Sequence, residues 1–111
     1  MPPYDPSTGA GLDADRRRLD ARVTGLVQGV GFRWWTVETA DGLGLDGWVA
    51  NELDGSVRVV AEGAPPLLED LLARLREGPS SARVRDVRVT WEPARGIAPG
   101  FRVEHGYHRG D

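Results

Sequence analysis

Arg33 comes two residues after a glycine-punctuated run, Gly25-Leu26-Val27-Gln28-Gly29-Val30-Gly31. Glycines let a backbone turn sharply and gather several N–H groups on one concave side. Where such a run opens into a helix, the unsatisfied first-turn amides and the positive dipole end add to the concavity. A guanidinium in that first turn can meet an oxyanion through two parallel hydrogen bonds. The chemistry suggested is the holding of a phosphate group without metal or lysine. Taken alone, the segment reads more simply as a glycine-rich turn beside a solvated arginine. A second polar group adds weight: Asn51 closes the stretch Gly47-Trp48-Val49-Ala50-Asn51, ahead of Asp54-Gly55-Ser56-Val57. Its amide can both donate and accept, although an asparagine beside a hairpin is by default a turn former.

The composition narrows the partners. The chain has 111 residues, no cysteine and a formal net charge of −3, and all 14 of its basic residues are arginine. Disulfides, thiolate metal sites, cysteine nucleophiles and lysine Schiff bases are thereby excluded. An acidic balance disfavours a general nucleic-acid or anionic-membrane surface, so neither partner is expected. No stretch approaches the ~18 apolar residues of a membrane span. The start, Met1-Pro2-Pro3-Tyr4-Asp5-Pro6, does not run from basic to apolar as a secretory signal does. A cytoplasmic monomer is the expectation.

The elements that must position Arg33 and Asn51 follow from periodicity. Leu19-Asp20-Ala21-Arg22-Val23-Thr24 alternates as a half-buried strand. Phe32 to Leu43 suits a helix stopping near Gly44. Asp46 to Asn51 and Ser56 to Glu62 read as two strands joined through Asp54-Gly55. In the second, Val57, Val59 and Ala61 share one face, and Ser56, Arg58 and Glu62 the other. Pro65 and Pro66 open a second helix whose stripe is Leu67, Leu68, Leu71, Leu72 and Leu75, ended by Gly78-Pro79. A further strand sets Val87, Val89 and Trp91 against Arg88, Thr90 and Glu92, and a short last one lies near Phe101 and Val103. Two helices with one apolar face each must cover one side of the sheet. Right-handed crossovers then give an α+β, ferredoxin-like βαββαβ sandwich: an antiparallel sheet with two helices on one face. Residues 1–17 read as a flexible leader, 18–104 as the domain and 105–111 as a C-terminal tail.

The string Val23-Thr24-Gly25-Leu26-Val27-Gln28-Gly29-Val30-Gly31-Phe32-Arg33 resembles the first signature of the acylphosphatases. Gly47-Trp48-Val49-Ala50-Asn51, on through Asp54-Gly55-Ser56-Val57 to Gly63, resembles the second. The likeness runs from about Arg18 to Val103. It implies a ferredoxin-like fold and hydrolysis of a small-molecule acyl phosphate to a carboxylate and inorganic phosphate, with no cofactor and no metal. By that resemblance Arg33 binds the phosphate and Asn51 orients the attacking water. The backbone of Leu26, Val27, Gln28, Gly29, Val30, Gly31 and Phe32 supplies the surrounding donors. The chemistry agrees. A carboxylate, whose acid has a pKa of about 4, can leave without a proton from a general acid. Phosphoryl transfer can then rest on positioning and charge stabilisation.

Departures from the family pattern bear on affinity. Where many members carry basic residues, this chain has Thr36-Val37-Glu38-Thr39-Ala40-Asp41, and Ala50 precedes Asn51. Glu52 would repel an anionic substrate if it faced the pocket. Trp34, Trp35, Trp48 and Trp91 read mainly as core or rim, with one of the adjacent pair Trp34 and Trp35 a candidate for the acyl side. His105 and His108 have a two-ligand spacing but no third partner, so a solvated tail is the reading. Arg83, Arg85 and Arg88 read as a solvated strand face or loop. The rival functions are a non-catalytic phosphate or acyl-phosphate binding domain of the same fold and, less well supported, an RNA-binding module. The latter expects aromatics and a basic strand face, whereas Ser56-Val57-Arg58-Val59-Val60-Ala61 has no aromatic. A similar domain also opens large carbamoyl-transferring maturation proteins, whose extra domains and zinc cysteines this chain lacks.

Overall fold

A computed structural model describes residues 15–105. The first fourteen residues of the expected leader and residues 106–111, with His108, lie outside the described residues. Strand β1 (Arg17–Leu26) begins within the last residue of that expected leader. Its Leu19, Ala21 and Val23 are fully buried, while the intervening Asp20 and Arg22 are only partly so, as a period of two requires. Helix α1 (Phe32–Gly42) buries Phe32, Thr36 and Ala40, a narrow stripe one turn apart. Phe32 also meets the Trp35 ring at 5.2 Å between centroids. The helix stops one residue earlier than its apolar pattern suggests, and Leu43 becomes the cap. Strands β2 (Asp46–Asn51) and β3 (Val57–Gly63) pair antiparallel. Helix α2 (Pro65–Glu77) buries Leu68, Leu71, Leu72 and Leu75. It ends at Gly78, whose positive φ lets its N–H return to the Arg74 carbonyl at 2.8 Å.

The sheet order is β4-β1-β3-β2-β5, with β4 spanning Arg83–Pro93 and β5 Phe101–Val103. Leu19, Ala21, Val23, Val49, Val57, Val59 and Ala61 form the covered face, against which Phe32, Ala40, Leu68, Leu71 and Leu75 pack. Full burial of one such leucine contributes about 1.5–3 kcal/mol. Leu71→Ala should cost about 2–5 kcal/mol, since transfer and cavity terms add. Among the described residues no helix is long and apolar enough to cross a membrane.

Two features depart from the expected pattern. The sheet is mixed rather than antiparallel, because β5 runs parallel to β2 (Gly47 opposite Phe101). The chain leaves β4 at one edge and must reach the opposite edge to form β5. The second departure is Glu62, which shares the outer face with Arg18 and Asp46 yet is fully buried. The β4–β5 connection covers it. The N–H groups of Arg95, Gly96 and Ile97 donate to its carboxylate at 2.8, 3.0 and 3.1 Å. Arg18 Nε lies 3.2 Å from the same group. Elsewhere on that face Arg58 grips Asp20 with two bonds of 3.0 and 2.7 Å and lies over the Trp48 ring. The charges there are thus largely satisfied internally.

Candidate active site

The glycine loop starts from a close approach of two backbones. A Cβ on Gly25 would stand 2.1 Å from the Arg83 carbonyl oxygen, so only glycine fits at this point of the β1–β4 pairing. The register slips at that point, between Thr24 and Gly25. Val27 then turns into the core and anchors the loop. Gly29 and Gly31 follow with φ of 76° and 82°, in the left-handed region where glycine is at ease. Gly31 is the N-cap of α1 and provides no side-chain acceptor. The first-turn amides of the helix are therefore not capped by its side chain, leaving a positive dipole end beside Arg33.

Asn51 arrives from the other direction, as the last residue of β2, paired with Val57 on the helix-covered face. Val27, Gly29, Gly31, Phe32, Arg33, Trp34 and Asn51 together line a cavity of about 180 Å³. A water occupies about 30 Å³ of liquid volume, so the space admits a phosphoryl group together with a water. Arg33 Nη1 and Asn51 Oδ1 are both buried from solvent. The Asn51 oxygen has no hydrogen-bond partner within the protein. Leaving such an acceptor unsatisfied costs about 1–3 kcal/mol.

Of the loop residues expected here, Val27, Gly29, Gly31 and Phe32 line the cavity, whereas Leu26, Gln28 and Val30 stand outside its lining. Leu26 is exposed at the end of β1. Val30 packs on the core, and its carbonyl accepts from Ser81 Oγ at 2.7 Å. The Gln28 side chain has a role its position in the motif does not disclose. Its Nε2 donates to the carbonyls of Glu52 and Ser56, both at 2.8 Å, clamping the loop to the β2–β3 turn.

Glu52 does not face the cavity. Its Oε1 accepts from Arg22 Nη1 at 3.1 Å, and Arg22 also reaches Ser56 Oγ at 3.2 Å. Asp54 accepts from the Ser56 hydroxyl at 2.6 Å and from its N–H at 2.9 Å, which holds the Asp54 carboxyl below the usual range. Of the two adjacent tryptophans, Trp34 lines the cavity and Trp35 packs inward on Phe32. Trp91 stands exposed on β4, and His105 is exposed at the end of the described residues. Arg85 and Arg88 are exposed, in a shallow concavity shared with Arg22, Thr24, Asp54 and Asp86. Among the described residues, no three His, Cys, Asp or Glu side chains come together in a way that would hold a metal ion.

The sequence model of the Acylphosphatase family matches residues 19–103, which spans all of β1 beyond its first two residues through β5. The chain belongs to the acylphosphatase family. It is 52% identical over 87 residues to an acylphosphatase of Salinibacter ruber, an overlap of 78% of this chain and 92% of that one. The fold agrees with the crystal structure of acylphosphatase from Bacillus subtilis at a TM-score of 0.76 and 33% identity, covering 79% of this chain and 98% of the other. It agrees likewise with an acylphosphatase from Coxiella burnetii at a TM-score of 0.74 and 34% identity, covering 86% and 99%. The ferredoxin-like α+β fold of the acylphosphatases, here with a five-stranded mixed sheet, is therefore the fold of this chain.

Proposed function

We propose that the chain hydrolyses acyl phosphates, with Arg33 and the loop amides holding the phosphoryl group and Asn51 positioning water. The observation that carries this reading is the shared cavity, in which a buried guanidinium nitrogen and an unsatisfied amide oxygen meet uncapped helix amides. Arg33 neutralises charge on the phosphoryl oxygens as they separate from the acyl group. Asn51 Oδ1 accepts a hydrogen bond from water aligned behind phosphorus. The water oxygen bonds to phosphorus, and the phosphorus–oxygen bond to the acyl group breaks. Its electron pair leaves on the carboxylate, and the water proton passes to a phosphate oxygen. A carboxylate needs no proton to depart, so the lack of a general acid among the lining residues suits this leaving group.

Family membership and fold support this reading over a non-catalytic binding domain. The loop, helix and strand that line the cavity belong to one folded unit, in keeping with action as a monomer. The absence of cysteine means that folding needs no oxidising compartment, in keeping with the cytoplasm. The internally paired charges of the outer sheet face argue against a nucleic-acid partner.

The test is phosphate release from benzoyl phosphate, compared with a phosphate monoester and repeated with a chelator present. The acyl phosphate should be hydrolysed in chelator and the monoester spared. Arg33→Ala should lose at least about 10² in kcat/KM, because a buried charged contact is removed. Binding without turnover would favour the non-catalytic domain, and equal hydrolysis of the monoester would overturn the leaving-group argument.

A further inference from the structure

Four large apolar side chains are exposed among the described residues, and three of them belong to the segments that bound the active-site cavity. Leu26 stands where β1 enters the glycine loop, Trp34 in the first turn of α1, and Leu53 in the turn after Asn51. Trp34 is the one that lines the cavity itself, beside Arg33, and its relative exposure is 68%. The core does not require it, since Trp35 already supplies the aromatic contact to Phe32. Scattered apolar residues on a surface need no explanation, but a group of them around a site points to a ligand.

Beyond Arg33, the exposed charges of α1 are negative. Arg33 is the charged residue among those lining the cavity. Glu38 and Asp41 stand four and seven residues after Trp34, on the same side of α1, and both are exposed. Arg22, on the side of the β2–β3 turn, is engaged with Glu52 and Ser56. A second anion on the substrate, away from the phosphoryl group, would meet carboxylates rather than a cation.

We propose that Trp34 forms the acyl subsite and selects acyl phosphates with an uncharged, apolar and preferably aromatic acyl group. Selection acts against small acyl groups through lost contact, and against acyl groups bearing a second negative charge through Glu38 and Asp41. The proposal rests on the hydrolase reading above and names its substrate class. The indole offers a flat apolar face with an electron-rich surface to a planar acyl group, once Arg33 has fixed the phosphoryl end.

The test compares kcat/KM for benzoyl, acetyl and succinyl phosphate. The unmodified protein should prefer them in that order. Trp34→Ala should shrink the benzoyl-to-acetyl ratio roughly three- to tenfold, the worth of one aromatic contact, whereas Trp34→Phe should keep most of it. Glu38→Gln should raise kcat/KM for succinyl phosphate about twofold, as an exposed charge allows, with the benzoyl-to-acetyl ratio unchanged. A ratio that survives Trp34→Ala would overturn the subsite. If the unmodified protein turned over none of the three, the hydrolase reading would fall instead. Binding of benzoylphosphonate against acetylphosphonate, with and without Trp34→Ala, would then still decide the subsite.

Discussion

The side-chain amide of Gln28 donates to the main-chain carbonyl of Glu52 at 2.8 Å, and so joins the glycine loop to the residue that follows Asn51. The same nitrogen reaches the Ser56 carbonyl, across the turn, at 2.8 Å. Arg33 lies at the far end of that loop, so the clamp ties the segment leading to Arg33 to the turn that follows Asn51. In the proposed mechanism Gln28 acts as a positioning residue.

Gln28→Ala should leave both carbonyls short of a donor and cost about 1–3 kcal/mol of stability. Loosening the alignment should lower kcat about tenfold, within the range that small misplacements produce. Gln28→Glu should do no better, because an ionised carboxylate cannot donate to either carbonyl. Steady-state kinetics on benzoyl phosphate, with thermal melts of each variant, check this. A lowered melting temperature with unchanged kcat would reduce the clamp to a structural role.

Gly25 and Gly31 belong to one motif but should respond differently to alanine. At Gly31 a Cβ meets nothing within 4 Å, so Gly31→Ala incurs only the left-handed backbone cost of about 1–2 kcal/mol. At Gly25 the Cβ would strike the Arg83 carbonyl oxygen and, at 2.8 Å, the Arg85 nitrogen. Neither is a flexible side chain, so overpacking adds to backbone strain and the loss should exceed about 3 kcal/mol. Urea unfolding midpoints rank the two. The reverse order would mean that β1 and β4 are not held together at this point.

Local periods made much of this fold legible in the sequence. Leu19, Ala21 and Val23 alternate, and Leu68, Leu71, Leu72 and Leu75 recur at helical spacing, so each element announces its buried face without reference to any other. The parallel β5 and the burial of Glu62 did not announce themselves. Both depend on the Gly- and Pro-containing stretch after Pro93, which has no period and takes its course from contacts made more than thirty residues away. Glu52 is similar, since its partner Arg22 is 30 residues distant and only the β1–β3 pairing brings them together. In the site, spacing alone gave Arg33 a glycine turn and Asn51 a hairpin position. Their joint role came from the family resemblance, and their common cavity is a property of the fold.

Asn51→Ala should separate activity from stability. The buried Oδ1 makes no hydrogen bond within the protein, so its removal forfeits none of the fold's own bonds. Turnover should fall on the order of 10²–10³-fold, as when other preorganised polar groups are deleted, with KM moving much less. The melting temperature should stay level or rise, as is common when a functional polar group is exchanged for an apolar one. Near-normal turnover in this variant would show that water is positioned by something else.

Glu62 should govern the acid stability of the fold. Burial raises its pKa, but the N–H groups of Arg95, Ile97 and Gly96, with the charge of Arg18, prevail and hold it below the ordinary glutamate value. A carboxylate whose folded pKa is depressed contributes stability that is complete above its unfolded pKa, about 4.3, and lost as the pH falls through the folded value. Glu62→Gln should therefore cost about 2–4 kcal/mol at neutral pH, because an amide offers the three donors a single oxygen and loses the Arg18 pairing. The difference from the unmodified protein should shrink between about pH 5 and pH 2, as the native carboxylate is itself protonated. Urea unfolding across that interval measures it. Glu62 pairs with Asp46 at the opposite end of β2 from Asn51, so kcat of the folded variant should be preserved. A gap in stability that stayed constant with pH would mean that the β4–β5 connection is held by packing and not by this charge.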